Sequence, residues 1–399
     1  DPYRISGNVQ LEGEPLEGVE LTVDGPGGEQ TVETDADGQW AVGVPERNAD
    51  YTVTLNEDTL PEGIAVIDET GEDTSPNVRE VTVGPGGRVT TNFFIGEGER
   101  NTTGFVDQLV ERLVNGVNFG LMLALAAIGL SLVYGTTGIS NFAHGEMVTF
   151  GALIALLFAV GLSLPLLVAV PLAVIVSGAF GYAMDAGLWR PLRRRGLGVV
   201  QLMIVSIGLS LALRYIFQMF VGGGTLQLPN PLSGVIPLPG SIVLTWMDLV
   251  SMLISVVVII IFALWLTRSR IGRATRAVSD NPSLAAASGI DVDGIVRIVW
   301  ILAAALAGLS GVLWAYFRPG IKWDMGTSIL LLLFAAVVLG GLGTALGALV
   351  GSLIVGILVE TTSLFGVPDD LKYVGALVVL ILILLFRPQG ILGRKERVG

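Results

Sequence analysis

From Ile5 to Ile95 the chain runs in short stretches where β-branched and aromatic residues alternate with polar ones, as in VELTVDG, QWAVGVP, DYTVTLN and REVTVGPG. A period of two places alternate side chains on one face of a strand. Asp24-Gly25, Asp37-Gly38 and Pro85-Gly86-Gly87 close these runs with residues that accept the backbone angles of tight turns. The pattern predicts about seven strands folded as a small β-sandwich. After GEGERNTT, residues 96–103, alternation gives way to long apolar stretches at 113–135, 144–162, 164–187, 198–220, 242–266, 298–316, 328–341, 343–362 and 371–386. A helix needs about 20 residues to cross the hydrocarbon layer, so roughly six or seven of these are full spans. The run from Ser328 to Glu360 is too long for one span. Gly340-Gly341-Leu342-Gly343 interrupts it, which fits two tightly joined helices or one broken helix. The expected architecture is a β-sandwich domain over 1–96, a linker over 97–111 and, over 112–399, an all-α polytopic membrane domain of about eight to nine transmembrane helices.

Composition agrees with a chain that lives mostly in lipid: of 399 residues 52% are hydrophobic and 15% charged, and the mean hydropathy is +0.70. The net charge of -12 conceals a split, since residues 1–100 hold 22 acids against 5 bases and the remainder 13 acids against 18 bases. The acidic head fits a solvated surface or a docking face for a basic partner. With no cysteine and one histidine, disulfides and thiolate metal sites are excluded, and no metal site or nucleic-acid partner is expected. If the N-terminus lies outside and the chain crosses nine times, the inner segments carry Arg190, Arg193, Arg194, Arg195, Arg268, Arg270, Arg273, Arg276, Arg297, Arg387, Arg394, Lys395 and Arg397. The outer loops carry Arg318, Lys322 and Lys372. The positive-inside rule then puts the sandwich outside a bacterial inner membrane and the C-terminus in the cytoplasm. An outer domain of this length needs an export signal, which is expected to have preceded Asp1.

The order SGNVQLEGEPLEGVELTVDG, then TDADGQWAVGVP, resembles the carboxypeptidase-regulatory, transthyretin-like sandwich domain over residues 4–96. Such modules are usually structural or binding additions, and no nucleophile-base arrangement stands out among its acids. In the membrane part, NGVNFGLMLALAAIGLSLVYGTTGISNFAHGEMVTFGA, from Asn115 to Ala152, resembles the start of the permeases of branched-chain amino acid ABC importers, the H-type subunit in particular. Three further blocks agree in order: RIGRATRAVSDNPSLAAASGIDVDGIVR at Arg270–Arg297, VVLGGLGTALGALVGSLIVGILVE at Val337–Glu360, and LLFRPQGILGR at Leu384–Arg394. The resemblance implies a permease subunit that moves a small polar solute inward by alternating access. It also implies a related second permease, two cytoplasmic ATPases and an extracytoplasmic solute-binding protein. This chain would bind no cofactor, and ATP would be used by the partner subunits. Similar permeases serve branched-chain and other amino acids, urea and short amides. A secondary transporter or channel is the competing class, and it would need intramembrane carboxylates placed for ion coupling.

Small residues four apart share one helical face and let a second backbone approach, so Gly116 and Gly120 with Ala124, and Gly343, Gly347 and Gly351, read as packing positions beside Gly340 and Gly341. GGLG lacks the GK[ST] ending of a phosphate loop, and no nucleotide site is expected in the chain. Asn118, Tyr134, Asn141, His144 and Glu146 are polar groups at membrane depth and candidates for the pathway or a gate. Asn141 and Glu146 also fit a helix start, one as a cap and the other beside the N-terminal dipole. Arg214 and Asp248 each lie about six residues from the outer end of a span, which would bring antiparallel neighbours to one depth as a buried ion pair. The segment Arg270–Gly289 is expected to be the ATPase-coupling helix: Arg273 and Arg276 precede Ser279 or Asp280 as a cap, Ala285, Ala286, Ala287 and Ser288 form a small face, and Gly289 ends it. Membrane lipid headgroups are the alternative partners of its arginines.

Overall fold

The computed structural model describes residues 3–11, 14–61, 64–66, 77–84, 86–97, 105–236, 243–318, 320–365, 371–386 and 390–392. Pro85, the expected linker residues 98–104 and the expected inner residues Arg387, Arg394, Lys395 and Arg397 lie outside them. The chain divides into two compact units, Asp1–Gly104 and Phe105–Gly399.

In the first unit the alternating runs become β1 (Tyr3–Leu11), β2 (Glu14–Pro15), β3 (Glu20–Asp24), β4 (Gln30–Glu33), β5 (Gln39–Val44), β6 (Asp50–Leu55), β7 (Ile64–Val66), β8 (Val78–Thr82), β9 (Arg88–Thr90) and β10 (Phe93–Glu97). One sheet has the order β2-β1-β10-β7, with β5 and β9 also paired to β1, and the other has the order β4-β3-β6-β8. Their inward residues share one core, Ile5, Val9, Trp40 and Val42 from the first sheet against Leu21, Val23, Tyr51 and Val53 from the second. These are the apolar members of the alternating pattern, as a two-layer sandwich requires.

The second unit is helical: α1 (Phe105–Thr137), α2 (His144–Leu156, extended by a wider turn to Gly161), α3 (Leu166–Met184), α4 (Arg190–Arg194), α5 (Val199–Val221), α6 (Trp246–Arg268), α7 (Arg270–Asp280), α8 (Pro282–Ala287), α9 (Val292–Phe317), α10 (Met325–Gly340), α11 (Ala345–Thr361) and α12 (Lys372–Phe386). Among the described residues six helical stretches are long and apolar enough to cross a membrane, and α10 and α11 are shorter apolar helices. The run around Gly340 is therefore two helices, turned by residues 341–344, where Gly341 and Gly343 take φ of 111° and 79°. No side chain but hydrogen tolerates that backbone easily.

Backbone, more than side chain, sets the distances between these helices. A Cβ on Gly116 or Gly120 would lie 2.7 or 2.9 Å from the Cα of Ile357 or Leu353 on α11. Gly129 brings α1 equally close to Ala303 of α9, and Ser310 Oγ donates to Met122 O at 2.7 Å, so α1 and α9 run antiparallel. Gly181 seats α3 on Trp300 and Ala304 of the same α9. Gly347 and Gly351 close the α10–α11 turn against Gly340 and Ala336.

The segments leading into α2 and α10 re-enter the bundle. Gly138 lies beside Val199 at the start of α5, while Phe142 N donates to Ser206 Oγ two turns further along that helix. His144, the first residue of α2, then sits with Nε2 2.9 Å from Ala126 O, about three turns before α1 ends. α10 begins at the same place, since Gly326 N donates to Thr149 Oγ1 at 2.9 Å. The trios α1–α2–α3 and α9–α10–α11 are thus inverted equivalents: a long helix, a returning segment, a helix that starts within the layer, and a third helix packed on the other trio's long helix.

A Cβ at Gly340 would overlap the Gly347 carbonyl oxygen, whereas one at Gly208, on α5, meets nothing within 4 Å. Gly340→Ala is expected to cost ~1–3 kcal/mol by overpacking, read as a lower unfolding midpoint in detergent. Gly208→Ala should leave that midpoint unchanged or raise it.

Candidate functional site

Two helix N-termini face each other where α2 meets α10. Gly145 and Gly326 make this possible, because a Cβ on Gly145 would stand 2.6 Å from Gly326 O and one on Gly326 would overlap Gly145 O. Neither helix has a side-chain N-cap: the cap positions are Ala143 and Asp324, and neither makes a capping hydrogen bond. Most of their first N–H groups are bonded within the preceding turns or, for Gly326, to Thr149, and the aligned peptide dipoles of the two helices still make this a region of positive potential.

Glu146 follows Gly145 in the first turn of α2, and Thr327 follows Gly326 at the equivalent place on α10. Thr327 Oγ1 donates to Glu146 Oε1 at 3.5 Å. Arg214, carried in by α5, donates to the same oxygen from Nε at 3.4 Å and Nη2 at 3.3 Å, and its Nη2 also reaches Ser210 Oγ at 3.4 Å. The guanidinium therefore lies level with Ser210, at the middle of α5, and does not extend toward the nearer helix end. Glu146 is 2% exposed as a side chain and Arg214 20%. Among the described residues, Glu146 Oε2 has no hydrogen-bond partner.

This corrects the expected pair between Arg214 and Asp248, which no ion pair among the described residues joins. Asp248 is occupied at the start of α6, where its Oδ2 accepts from Thr245 N and Oγ1 in a capping box. Its Oδ1 accepts from Asn118 Nδ2 at 3.1 Å. Equal distance from span ends misled because α2 starts within the layer and delivers a nearer carboxylate.

The other candidates separate into distinct places. His144 is fully buried and tied to α1 through Ala126 O, with Nδ1 unpartnered among the described residues. Asn141 is buried and does not cap α2; its Oδ1 accepts from Ala143 N at 3.0 Å in the turn before the helix. Asn118 belongs with Asp248. Tyr134 lies at the far end of α1, beside Gly343.

In the segment Arg270–Gly289 there are two helices, α7 and α8. The cap of α8 is Asn281, whose side chain accepts from Leu284 N at 3.0 Å, and not Ser279 or Asp280. Ala285 is buried with Val278 and Ile295, while Leu284, Ala286, Ala287 and Ser288 are exposed and Gly289 ends the helix at φ 87°. Arg273 and Arg276 turn back onto the carbonyls of Arg268 and Thr267.

Sequence reasoning missed Ser210, Thr327, Gly326 and Thr149. A signal for them existed in the internal echo of Gly129-Leu130-Ser131 by Gly308-Leu309-Ser310, followed by His144-Gly145-Glu146 and Met325-Gly326-Thr327.

Residues 112–384 match the family described as branched-chain amino acid transport system / permease component. The chain is 36% identical over 304 residues to the high-affinity branched-chain amino acid transport system permease protein BraD of Pseudomonas aeruginosa, covering 72% of this chain and 96% of that one. It is 32% identical over 299 residues to the corresponding LivH of Escherichia coli, with coverage of 72% and 96%. A probable branched-chain amino acid transport permease protein LivH of Methanocaldococcus jannaschii is 30% identical over 298 residues, with coverage of 70% and 91%. No solved structure matches the chain significantly.

Breaking a buried ion pair from one side strands the other charge, at ~3–5 kcal/mol. Glu146→Ala is expected to lower the unfolding midpoint in detergent, and Glu146→Ala with Arg214→Leu to recover most of it. Asp248→Ala combined with Arg214→Leu should show only the sum of the two single effects.

Proposed function

This chain belongs to the permease-component family of branched-chain amino acid transport systems, and from that premise we propose that it imports branched-chain amino acids together with a related second permease, two ATPase subunits and an extracytoplasmic binding protein. It is a multi-pass permease subunit, and its chemistry is conformational. The match that runs unbroken from residue 112 to 384 carries this reading. Nucleotide is used by the partner ATPases and not by this chain.

The basic residues support an orientation with α4, α7 and α8 in the cytoplasm and the first unit outside. Arg190 and Arg194 of α4 reach Asp293, at the start of α9, at 3.7 and 3.6 Å. The arginine-rich ends of α4 and of the α7–α9 region therefore lie together, as the positive-inside rule asks of a cytoplasmic face.

In this reading α7 and α8 are the seat of an ATPase. The exposed Leu284, Ala286 and Ala287 offer a small apolar face for a groove. Behind it the contact is stiff: Val278, Ala285 and Ile295 pack together. A Cβ on Gly135, in the last turn of α1, would meet Ser279 Oγ at 2.5 Å and Gly343 O at 3.1 Å. A push on α8 thus reaches the end of α1 and the α10–α11 turn through packed atoms, which bistable transport requires.

Ala286→Trp is expected to weaken ATPase copurification and to lower leucine uptake, each by about tenfold or more, since a misfitted contact of ~1–3 kcal/mol is worth that factor. Membrane insertion should be unaffected. Full uptake with normal ATPase binding would remove α8 from the coupling contact.

A further inference from the structure

We propose that the Glu146–Arg214 pair is the point at which the passing solute is held, with the solute's α-ammonium on Glu146 and its α-carboxylate on Arg214. The proposal rests on the amino-acid reading above and assigns that reading a site.

Four observations converge on it. The pair is loose, since contacts of 3.3 and 3.4 Å exceed the ~2.7–2.9 Å of a tight charge-assisted bond. Glu146 is 2% exposed, and its Oε2 has no partner at hydrogen-bond geometry among the described residues, with the Ser210 hydroxyl and its own N–H also near the carboxylate. A buried carboxylate oxygen in that state is costly unless a donor completes it, and an ammonium group is such a donor. Around the single negative charge stand one guanidinium and the peptide dipoles of two helix N-termini without side-chain caps, so the fixed positive potential exceeds what Glu146 neutralises. That surplus suits one further anion. A zwitterion with its two charges on one carbon supplies both missing groups and can displace the direct pair without leaving either charge unmatched.

The surroundings give access. Arg214 is held from α5, whose most apolar stretch is only 17% buried against 94% for α1. α5 touches the bundle by one stripe, Leu202, Ser206, Ser210 and Phe217, and leaves Ile207, Leu211 and Tyr215 exposed. A guanidinium level with the middle of a span and 20% exposed is expensive against lipid, and it is stable where the exposed side borders a watery path or a second permease. The solute therefore reaches the pair from the α5 side. Thr327, at the inverted equivalent of Glu146, donates to the shared oxygen and keeps Oε1 satisfied when Arg214 turns to a carboxylate.

The test uses the complete transporter in proteoliposomes, with radiolabelled L-leucine as probe and ATPase copurification as the measure of assembly. Wild-type uptake of leucine tests the amino-acid reading; the ratio of variant to wild-type uptake tests the site. If the wild type imports another zwitterionic amino acid instead, the ratio is measured with that solute. Glu146→Gln combined with Arg214→Gln removes both charges, so no unmatched charge is left to unfold the bundle. This variant is expected to assemble normally and to lose uptake by about 100-fold, the scale of two lost charge-assisted contacts. Arg214→Lys retains a cation and should stay within about tenfold of wild type, because a point charge replaces a fork. Uptake by the double-glutamine variant within about threefold of wild type overturns the proposal, since a few tenths of a kcal/mol leaves no room for a charged contact. Loss of assembly by that variant, with Arg214→Lys normal in both measures, gives the pair a structural role and overturns it equally.

Discussion

The approach of Gly145 to Gly326 puts two helix ends backbone to backbone inside an apolar layer. Any larger side chain at either position would drive the ends apart, and Thr149, whose hydroxyl serves Gly326 N, would lose its partner. In such a layer every polar backbone group must be satisfied by the protein itself. Here the requirement is met by an acceptor from the opposite helix, the Thr149 hydroxyl, and by turns in the returning segments, where Asn141 accepts from Ala143 N. The glycine contact fixes where α2 and α10 begin, and hence which side chains meet between them.

From that contact the rest of the bundle follows as two inverted halves. α1 and α9 lie side by side through Gly129, Met122 and Ser310, and each supports the third helix of the other half. Broken helices at the junction of such halves are a recurring way to place polar groups within a membrane without exposing them to lipid. The halves are not copies, however. Glu146 has Thr327 as its counterpart, so one half contributes charge and the other a hydroxyl.

Much of this was legible in the chain. Alternation gave the strands and their inward residues; length gave the spans; and the glycines four apart proved to lie against neighbouring backbones, Gly116 and Gly120 on α11 and Gly347 on Gly340. The polar centre was not. Pairing Arg214 with Asp248 assumed that each apolar stretch crosses the whole layer, yet residues 138–143 climb alongside α5 before α2 begins. Hydropathy cannot see such a return, because residues 138–143, with Ser140 and Asn141 among them, read as an ordinary connecting loop between two spans. The cap of α8 was missed by one residue for a smaller reason: Asn281 precedes Pro282 directly, and a proline at the first helical position leaves its predecessor extended and ready to cap.

The sheet of the first unit has a further bearing on how the protein is made. β1 lies at its centre, paired in parallel with β9 and β10, and Asn8 N reaches Asn92 Oδ1 across 84 positions of sequence. Contacts so distant close slowly, since the loop between them must be ordered first. β1 therefore waits for its partners until residues 88–97 have been synthesised, when the ribosome is only a few residues from the start of α1 at Phe105. The β unit can thus finish folding only once nearly all of the chain before α1 has been made.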